Sequence, residues 1–222
     1  MFAACGIAAN DGVRKQVGYA CEGEPGTLES VNLLAHALLS GDEPGMIVGG
    51  VLADWIKGPV DRLPGGLVDG IRRHRQVDTF TDGHPMTAVS RARLRDRWGR
   101  YSGILVDLAY DVCLAATWDR FGRGRMGDFI QGTYAVLERA ISGLPKPACD
   151  VARYMIAEDW LTSYGGWDGV ATALGRITRR LRRPVNLTGA VEDLKGLESE
   201  LTGDFVRFYP DLEATCSERG NP

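Results

Sequence analysis

Histidine is scarce in this 222-residue sequence, and several motifs that carry well-known chemistry are missing. The chain contains three histidines, and it has no P-loop, no GxSxG nucleophile elbow and no GxGxxG segment after a strand. These absences give no support to a P-loop nucleotide site, a serine hydrolase or a Rossmann domain. The net charge of −3 likewise gives no support to non-specific nucleic-acid binding.

Paired cysteines and long apolar runs are also absent. The five cysteines form no CxxC pair, and their odd number and wide spacing argue against a disulfide framework or a zinc ribbon. No segment approaches the roughly 18 apolar residues that a membrane span requires. A signal peptide requires a Lys or Arg before its apolar region, and none precedes the apolar start MFAACGIAAN. We therefore expect a cytoplasmic protein.

Helical periodicity dominates the sequence, and the alternation of β-branched residues that marks strands is missing. The segment YSGILVDLAYDVCLAATWDRF, residues 101–121, is apolar nearly all round, which is typical of a central buried helix. The sequence predicts an all-α fold with one helical domain over residues 27–216, preceded by a loose extension over residues 1–26. The other predicted helices cover residues 27–40, 46–57, 64–82, 85–98, 127–143, 147–163, 167–182 and 188–215.

The histidines all lie in the first half of the chain, and carboxylates occur near two of them. His36 and Asp54 both lie in strongly apolar segments. A lone histidine there is commonly a core residue, but a carboxylate is costly unless it is paired or bound to a metal. In GIRRHRQVDTFTD, a four-residue spacing places His74, Asp78 and Asp82 on one helix face. The alternative interpretation of this stripe is a solvated polar face.

The central helix repeats the four-residue spacing with Asp107 and Asp111. Two carboxylates on one apolar helix face repel each other and are poorly solvated, and a divalent cation relieves both problems. Three helices then offer imidazoles or carboxylates, a common way to build a metal site in a helical bundle. This ligand mixture suits manganese, iron or zinc better than calcium. The predicted metal ligands are His36, Asp54, His74, Asp78, Asp107 and Asp111.

These segments resemble the acyl carrier protein phosphodiesterases. The matching segments are VNLLAHALLSG, GGVLADWIKG, GIRRHRQVDTFTDGHP, ILVDLAYDVCLAATW, EDWLTSYGGWDGV, RITRRLRRP and FVRFYP, in one order from Val31 to about Ala214. The resemblance implies an all-helical fold similar to the HD-type phosphohydrolases, with a distorted version of their metal site. It also implies manganese as the metal and holo-acyl carrier protein as the substrate, from which 4′-phosphopantetheine is removed.

The resemblance further implies roles for individual side chains. The inner metal site would consist of His36, Asp54, His74, Asp78 and Asp111, with Asp82 and Asp107 as further ligands or close neighbours. His74, Asp78 and Asp82 would be catalytic, with Asp78 or Asp82 taking a proton from the attacking water.

Two groups of arginines have both a functional and an ordinary interpretation. Guanidinium groups match phosphate geometry, so the first group is expected to hold the phosphate, although surface solvation explains it equally well. The second group is a basic patch suited to docking an acidic carrier protein, or else a solvated helix end. The first group is Arg72, Arg73 and Arg75, and the second is Arg176, Arg179, Arg180 and Arg183.

The chain departs from the family pattern at two places. Family members commonly have Asp-His where this chain has Asp111-Val112, and His-Trp where it has Thr117-Trp118. Two alternatives therefore stay open: a metal phosphohydrolase of a nucleotide such as a guanosine polyphosphate, and a degenerate member that binds a carrier protein without cleaving it. Family members also begin at the position of Val31, which we expect to be the true translation start.

Overall fold

A computed structural model describes residues 32–57, 59–60, 63–181 and 185–218 of the chain. The extension over residues 1–26 and the expected start at Val31 lie outside the described residues. Within the described ranges the chain forms helices joined by turns, and no strand occurs there, which confirms the predicted all-α fold.

The helices in the first half of the chain follow the predicted periodicity. They are α1 (Leu33–Leu39), α2 (Pro44–Leu52), α3 (Gly65–Gly83), α4 (Pro85–Trp98) and α5 (Ser102–Ala116). A 3-10 turn at Ala53–Trp55 follows α2, and a second at Gly99–Tyr101 joins α4 to α5. Proline at the start of α2 and of α4 suits the first helical turn, where a backbone N–H has no intrahelical partner.

The second half contains more breaks than the periodicity predicts. Its helices are α6 (Trp118–Phe121), α7 (Met126–Ala140), α8 (Lys146–Ala157), α9 (Trp160–Ser163), α10 (Trp167–Arg180), α11 (Ala190–Gly196) and α12 (Glu198–Glu218). The predicted helices over residues 101–121, 147–163 and 188–215 are thus each divided. At the first break, the Thr117 hydroxyl donates to the Cys113 carbonyl oxygen at 2.7 Å. At the second, Asp159 adopts a left-handed conformation with φ of 46°.

Helix α5 lies at the centre of the core, as its apolar sequence predicts. Most of its residues are buried, and α12 packs against both α4 and α5. Phe205, Phe208 and Tyr209 of α12 are almost fully buried, and Tyr110 of α5 contacts the first two through ring packing. Burial of these large apolar surfaces is the main force that holds α5 in place.

Helices α2 and α3 pack unusually closely because each presents a glycine to the other. A Cβ atom on Gly49 would lie 2.3 Å from the Leu67 carbonyl oxygen, and one on Gly70 would lie 2.4 Å from the Met46 carbonyl oxygen. Any larger residue at either position would push the helices apart. This close approach brings the backbone of α2 within reach of side chains on α3.

Candidate metal centre

Two buried histidines and one carboxylate meet between α1 and α3. His36 lies on α1, and His74 and Asp78 lie one turn apart on α3. The Asp78 carboxylate contacts both rings, with Oδ1 at 3.1 Å from His36 Nε2 and Oδ2 at 3.2 Å from His74 Nε2. The two imidazoles stack with their centroids 4.0 Å apart. We refer to His36, His74 and Asp78 as the triad.

Asp54 extends the triad from the 3-10 turn after α2. Its Oδ1 lies 3.5 Å from His74 Nε2, so two carboxylates face the same ring nitrogen. That nitrogen is buried, and an oxygen of each carboxylate lies within 3.5 Å of it. A buried nitrogen within ion-pair distance of two carboxylates fits a point at which a cation would bind all three groups.

The other nitrogen of His74 is fixed by the backbone. Nδ1–H donates to the Gly50 carbonyl oxygen at 2.7 Å, a contact that the close packing of α2 and α3 makes possible. Because Nδ1 keeps the proton, the lone pair of a neutral ring lies on Nε2, which faces the carboxylates. Metal-binding histidines usually donate their second N–H in this way.

The electrostatics of the triad favour one positive charge at this point. Burial, and then the neighbouring His74, lower the pKa of His36, so this ring stays neutral. Burial is the largest single effect on His74 and lowers its pKa, but the Asp54 and Asp78 carboxylates outweigh it and raise the pKa overall. Either a proton on His74 or a metal ion would satisfy this preference.

The spacing of the triad is suitable for a single ion. One ligand atom from each of its three residues can be chosen so that all lie within 4.8 Å of one another. Two atoms that bind one ion at about 2.0–2.2 Å each lie no more than roughly 4.4 Å apart. Small side-chain movements would therefore complete the coordination, so the residues present fit a divalent metal.

A charged cavity of about 800 Å³ opens beside the triad. Asp54 and Asp78 line it, whereas both histidines are buried. The lining of the cavity contains four carboxylates and three guanidinium groups, those of Asp54, Asp78, Asp82, Asp107, Arg91, Arg95 and Arg100. Carboxylates and arginines in one cavity suit a substrate that carries a phosphate group.

Asp82 and Asp107 line the cavity but differ in their surroundings. The Asp82 carboxylate pairs with the Arg91 guanidinium group. Burial raises the pKa of Asp107 to about 7, even though Arg91 lowers it. Burial therefore favours the protonated form of Asp107.

Asp111 is fully buried and binds the backbone at the start of α1. Its Oδ2 accepts from the Leu34 N–H at 3.0 Å and its Oδ1 accepts from the Ala35 N–H at 3.1 Å. These are N–H groups of the first turn, which lack an intrahelical partner, and no side chain within α1 caps them. Asp111 does not line the cavity. The structure thus places it as a cap that holds the helix carrying His36.

The predicted phosphate-binding arginines do not reach the cavity. Arg72 is exposed and pairs with Asp69, and Arg73 donates to the Leu39 carbonyl oxygen at 3.2 Å. Arg75 is exposed, and none of the three lines the cavity. The sequence analysis did not predict a role for the arginines that line the cavity. Arg91 and Arg95 are four residues apart in SRARLRDRWGR, and Arg100 ends this segment. The four-residue spacing indicates that Arg91 and Arg95 share one helix face, and this pattern could have identified them.

The predicted docking arginines fall into different environments. The Arg176 guanidinium group lies over the rings of Trp160, at 4.7 Å, and Tyr154, at 5.4 Å. Such stacking gives Arg176 a role in packing. Arg179 is exposed, whereas Arg183 and the side chain of Arg180 lie outside the described residues. Docking by this patch stays a prediction.

The departure at Val112 falls in the core. Val112 is 5% exposed and lies on α5 away from the cavity lining. Thr117, at the other departure, is held by its bond to the end of α5. Neither residue belongs to the triad, so both departures leave its three residues in place.

The fold and the site together define an all-helical protein with a candidate metal centre beside a charged cavity. The sequence profile described as "Acyl carrier protein phosphodiesterase" matches residues 31–212, so the chain belongs to this family. This finding confirms the resemblance seen in the sequence.

Individual relatives agree with the family assignment. Acyl carrier protein phosphodiesterase from Pectobacterium atrosepticum is 29% identical over 82% of this chain and 95% of the relative. The protein of that name from Photorhabdus laumondii is 27% identical over 81% of this chain and 92% of the relative. No solved structure is significantly similar to the chain. Among the described residues, no helix is long and apolar enough to cross a membrane.

Proposed function

We propose that this chain is a metal-dependent phosphodiesterase that removes 4′-phosphopantetheine from holo-acyl carrier protein. Family membership supplies the class of reaction, hydrolysis of a phosphodiester, and the class of substrate. The observation that supports the metal is the triad, in which two buried imidazoles share one carboxylate. Manganese is the proposed ion, consistent with mixed nitrogen and oxygen ligands.

The ion would be held by His36, His74 and Asp78, with Asp54 beside it. When bound, a divalent ion supplies Lewis acidity, which polarises the phosphoryl group and makes water a better nucleophile. Asp54 lines the cavity and contacts His74, which supports a role for its carboxylate as the acceptor of a proton from the attacking water. Asp82 is less suited to this role because Arg91 holds its carboxylate.

Departure of the serine oxygen requires a proton, and we assign its delivery to Asp107. This carboxyl group lines the cavity, and its raised pKa leaves it partly protonated near neutral pH. General acids of this kind typically contribute about 10²–10⁴-fold to the rate.

The pH dependence of turnover tests this assignment. Since Asp107 acts in its protonated form, kcat/KM of the wild type should fall as the pH rises through about 7. Asp107→Asn should be slower by about 10²–10⁴-fold at pH 6 and should lose this alkaline decrease. Asp119→Asn, an exposed change away from the cavity, should keep the wild-type profile. An unchanged alkaline limb in Asp107→Asn would exclude Asp107 as the proton donor.

Identification of the product tests the proposed function itself. Purified chain, incubated with manganese and holo-acyl carrier protein, should convert the carrier to its apo form and release one 4′-phosphopantetheine, as measured by mass spectrometry. A guanosine polyphosphate in a parallel reaction should remain intact. Cleavage of the nucleotide alone would replace the proposed substrate, and binding of the carrier without cleavage would identify a degenerate member.

A further inference from the structure

Three arginines of α4 and the following 3-10 turn face the cavity that Asp54 and Asp78 also line. Arg91 and Arg95 are one helical turn apart on α4, and Arg100 lies in the turn at Gly99–Tyr101. Arg93 and Arg97 of the same helix instead pair with Asp204 and Asp193. We refer to Arg91, Arg95 and Arg100 as the arginine wall.

Arg91 is the most enclosed member of the arginine wall. Its side chain is 19% exposed, and its guanidinium group pairs with Asp82 and lies against Gly103 of α5, where a Cβ would be 3.6 Å from Nε. Its Nε is buried and has no hydrogen-bond partner among the described residues. A guanidinium group has five N–H donors, so Arg91 keeps donor capacity that Asp82 does not use.

The other two members add charge at more accessible positions. Arg95 and Arg100 are both exposed, and Arg100 is steadied by the Tyr101 hydroxyl, to which it donates at 2.7 Å. Guanidinium groups bind phosphate oxygens through paired hydrogen bonds, which a lysine cannot reproduce. The arginine wall supplies positive charge in a cavity that carboxylates also line.

We propose that the arginine wall binds the phosphoryl group of the substrate, with Arg91 as its principal contact and Asp82 as the residue that positions Arg91. This inference rests on the proposed function and names the side chains that hold the phosphate. It moves that role from Arg72, Arg73 and Arg75, which lie outside the cavity lining.

Calorimetric titration of the full chain with inorganic phosphate and with 4′-phosphopantetheine tests the proposal without turnover. The protein is stripped of metal beforehand, so that the anion cannot bind an ion instead. We expect Arg91→Ala and Arg95→Ala each to raise Kd by about 10-fold or more, as the loss of a charge-assisted contact implies. Arg91→Lys should recover only part of the affinity, and Arg72→Ala should match the wild type.

The kinetic comparison uses holo-acyl carrier protein and the same variants. Arg91→Ala and Arg95→Ala should lower kcat/KM, whereas Arg72→Ala should not. The proposal would be overturned if Arg95→Ala and a folded Arg91→Lys both bound phosphate with wild-type affinity. It would also be overturned if Arg72→Ala lost as much phosphate affinity as Arg91→Ala. If the wild-type chain bound phosphate through Arg91 but released no 4′-phosphopantetheine, the role of the arginine wall would be supported. The proposed function would then be overturned.

Discussion

Asp78→Asn is expected to abolish both metal binding and turnover, because the Asp78 carboxylate contacts both buried histidines. An amide carries no charge, and its NH₂ group cannot bind a metal. The rate should fall by more than about 100-fold, beyond the roughly 10–100-fold typical of residues that only support a ligand. Inductively coupled plasma mass spectrometry should find no stoichiometric metal in the variant.

Thermal unfolding gives a second readout that does not depend on activity. Manganese at 100-fold above its Kd would stabilise the wild type by about 2.7 kcal/mol. In a chain of this size each kcal/mol shifts Tm by roughly 2–4 °C. The shift should disappear in Asp78→Asn and weaken at low pH in the wild type, because protonation of His74 competes with the ion.

Asp69→Asn is the matched control for this experiment. Asp69 lies on the same helix as Asp78 but is exposed and pairs with Arg72. Its removal should leave metal content, turnover and the manganese-induced shift in Tm unchanged. If Asp78→Asn kept the full shift in Tm, the triad would not be the metal centre.

The three residues of the triad were among the six metal ligands predicted from the sequence, because their pattern depends on local spacing and local surroundings. His74 and Asp78 share a helix face by their four-residue separation, and the apolar neighbours of His36 indicated that it is buried. The contact between α1 and α3 required only that these apolar faces pack together. The helices with strong periodicity were likewise predicted close to their observed bounds.

Other features of the site depend on tertiary contacts that spacing does not encode. Asp111 has the same spacing to Asp107 that Asp78 has to His74, yet it binds the backbone of α1. Nothing in the local sequence of α5 shows that the first turn of helix α1, which is distant in the sequence, lies beside Asp111. The arginines of α4 show the same dependence on tertiary contacts. Arg93 and Arg97 pair with acidic residues of α12 and α11, whereas Arg91 and Arg95 line the cavity.

Asp111→Ala is expected to destabilise the fold strongly, whatever its effect on the metal. The change leaves the buried N–H groups of Leu34 and Ala35 without an acceptor. Each unpaired buried donor costs about 1–3 kcal/mol, so the free energy of unfolding should fall by at least about 2 kcal/mol. Urea denaturation of metal-free protein measures this directly. Asp96→Ala, an exposed change on α4, should stay within about 0.5 kcal/mol of the wild type.

The same variant separates a positioning role from ligation of the metal. If Asp111 acts by holding α1, then Asp111→Ala should still bind manganese at high concentration, because His36, His74 and Asp78 all remain, but with a raised Kd. Asp111→Asn, whose carbonyl oxygen can still accept from one of the two N–H groups, should recover part of the stability and part of the affinity together. Loss of metal from Asp111→Ala at every manganese concentration, with the fold intact by circular dichroism, would instead make Asp111 a ligand, as its sequence pattern predicts.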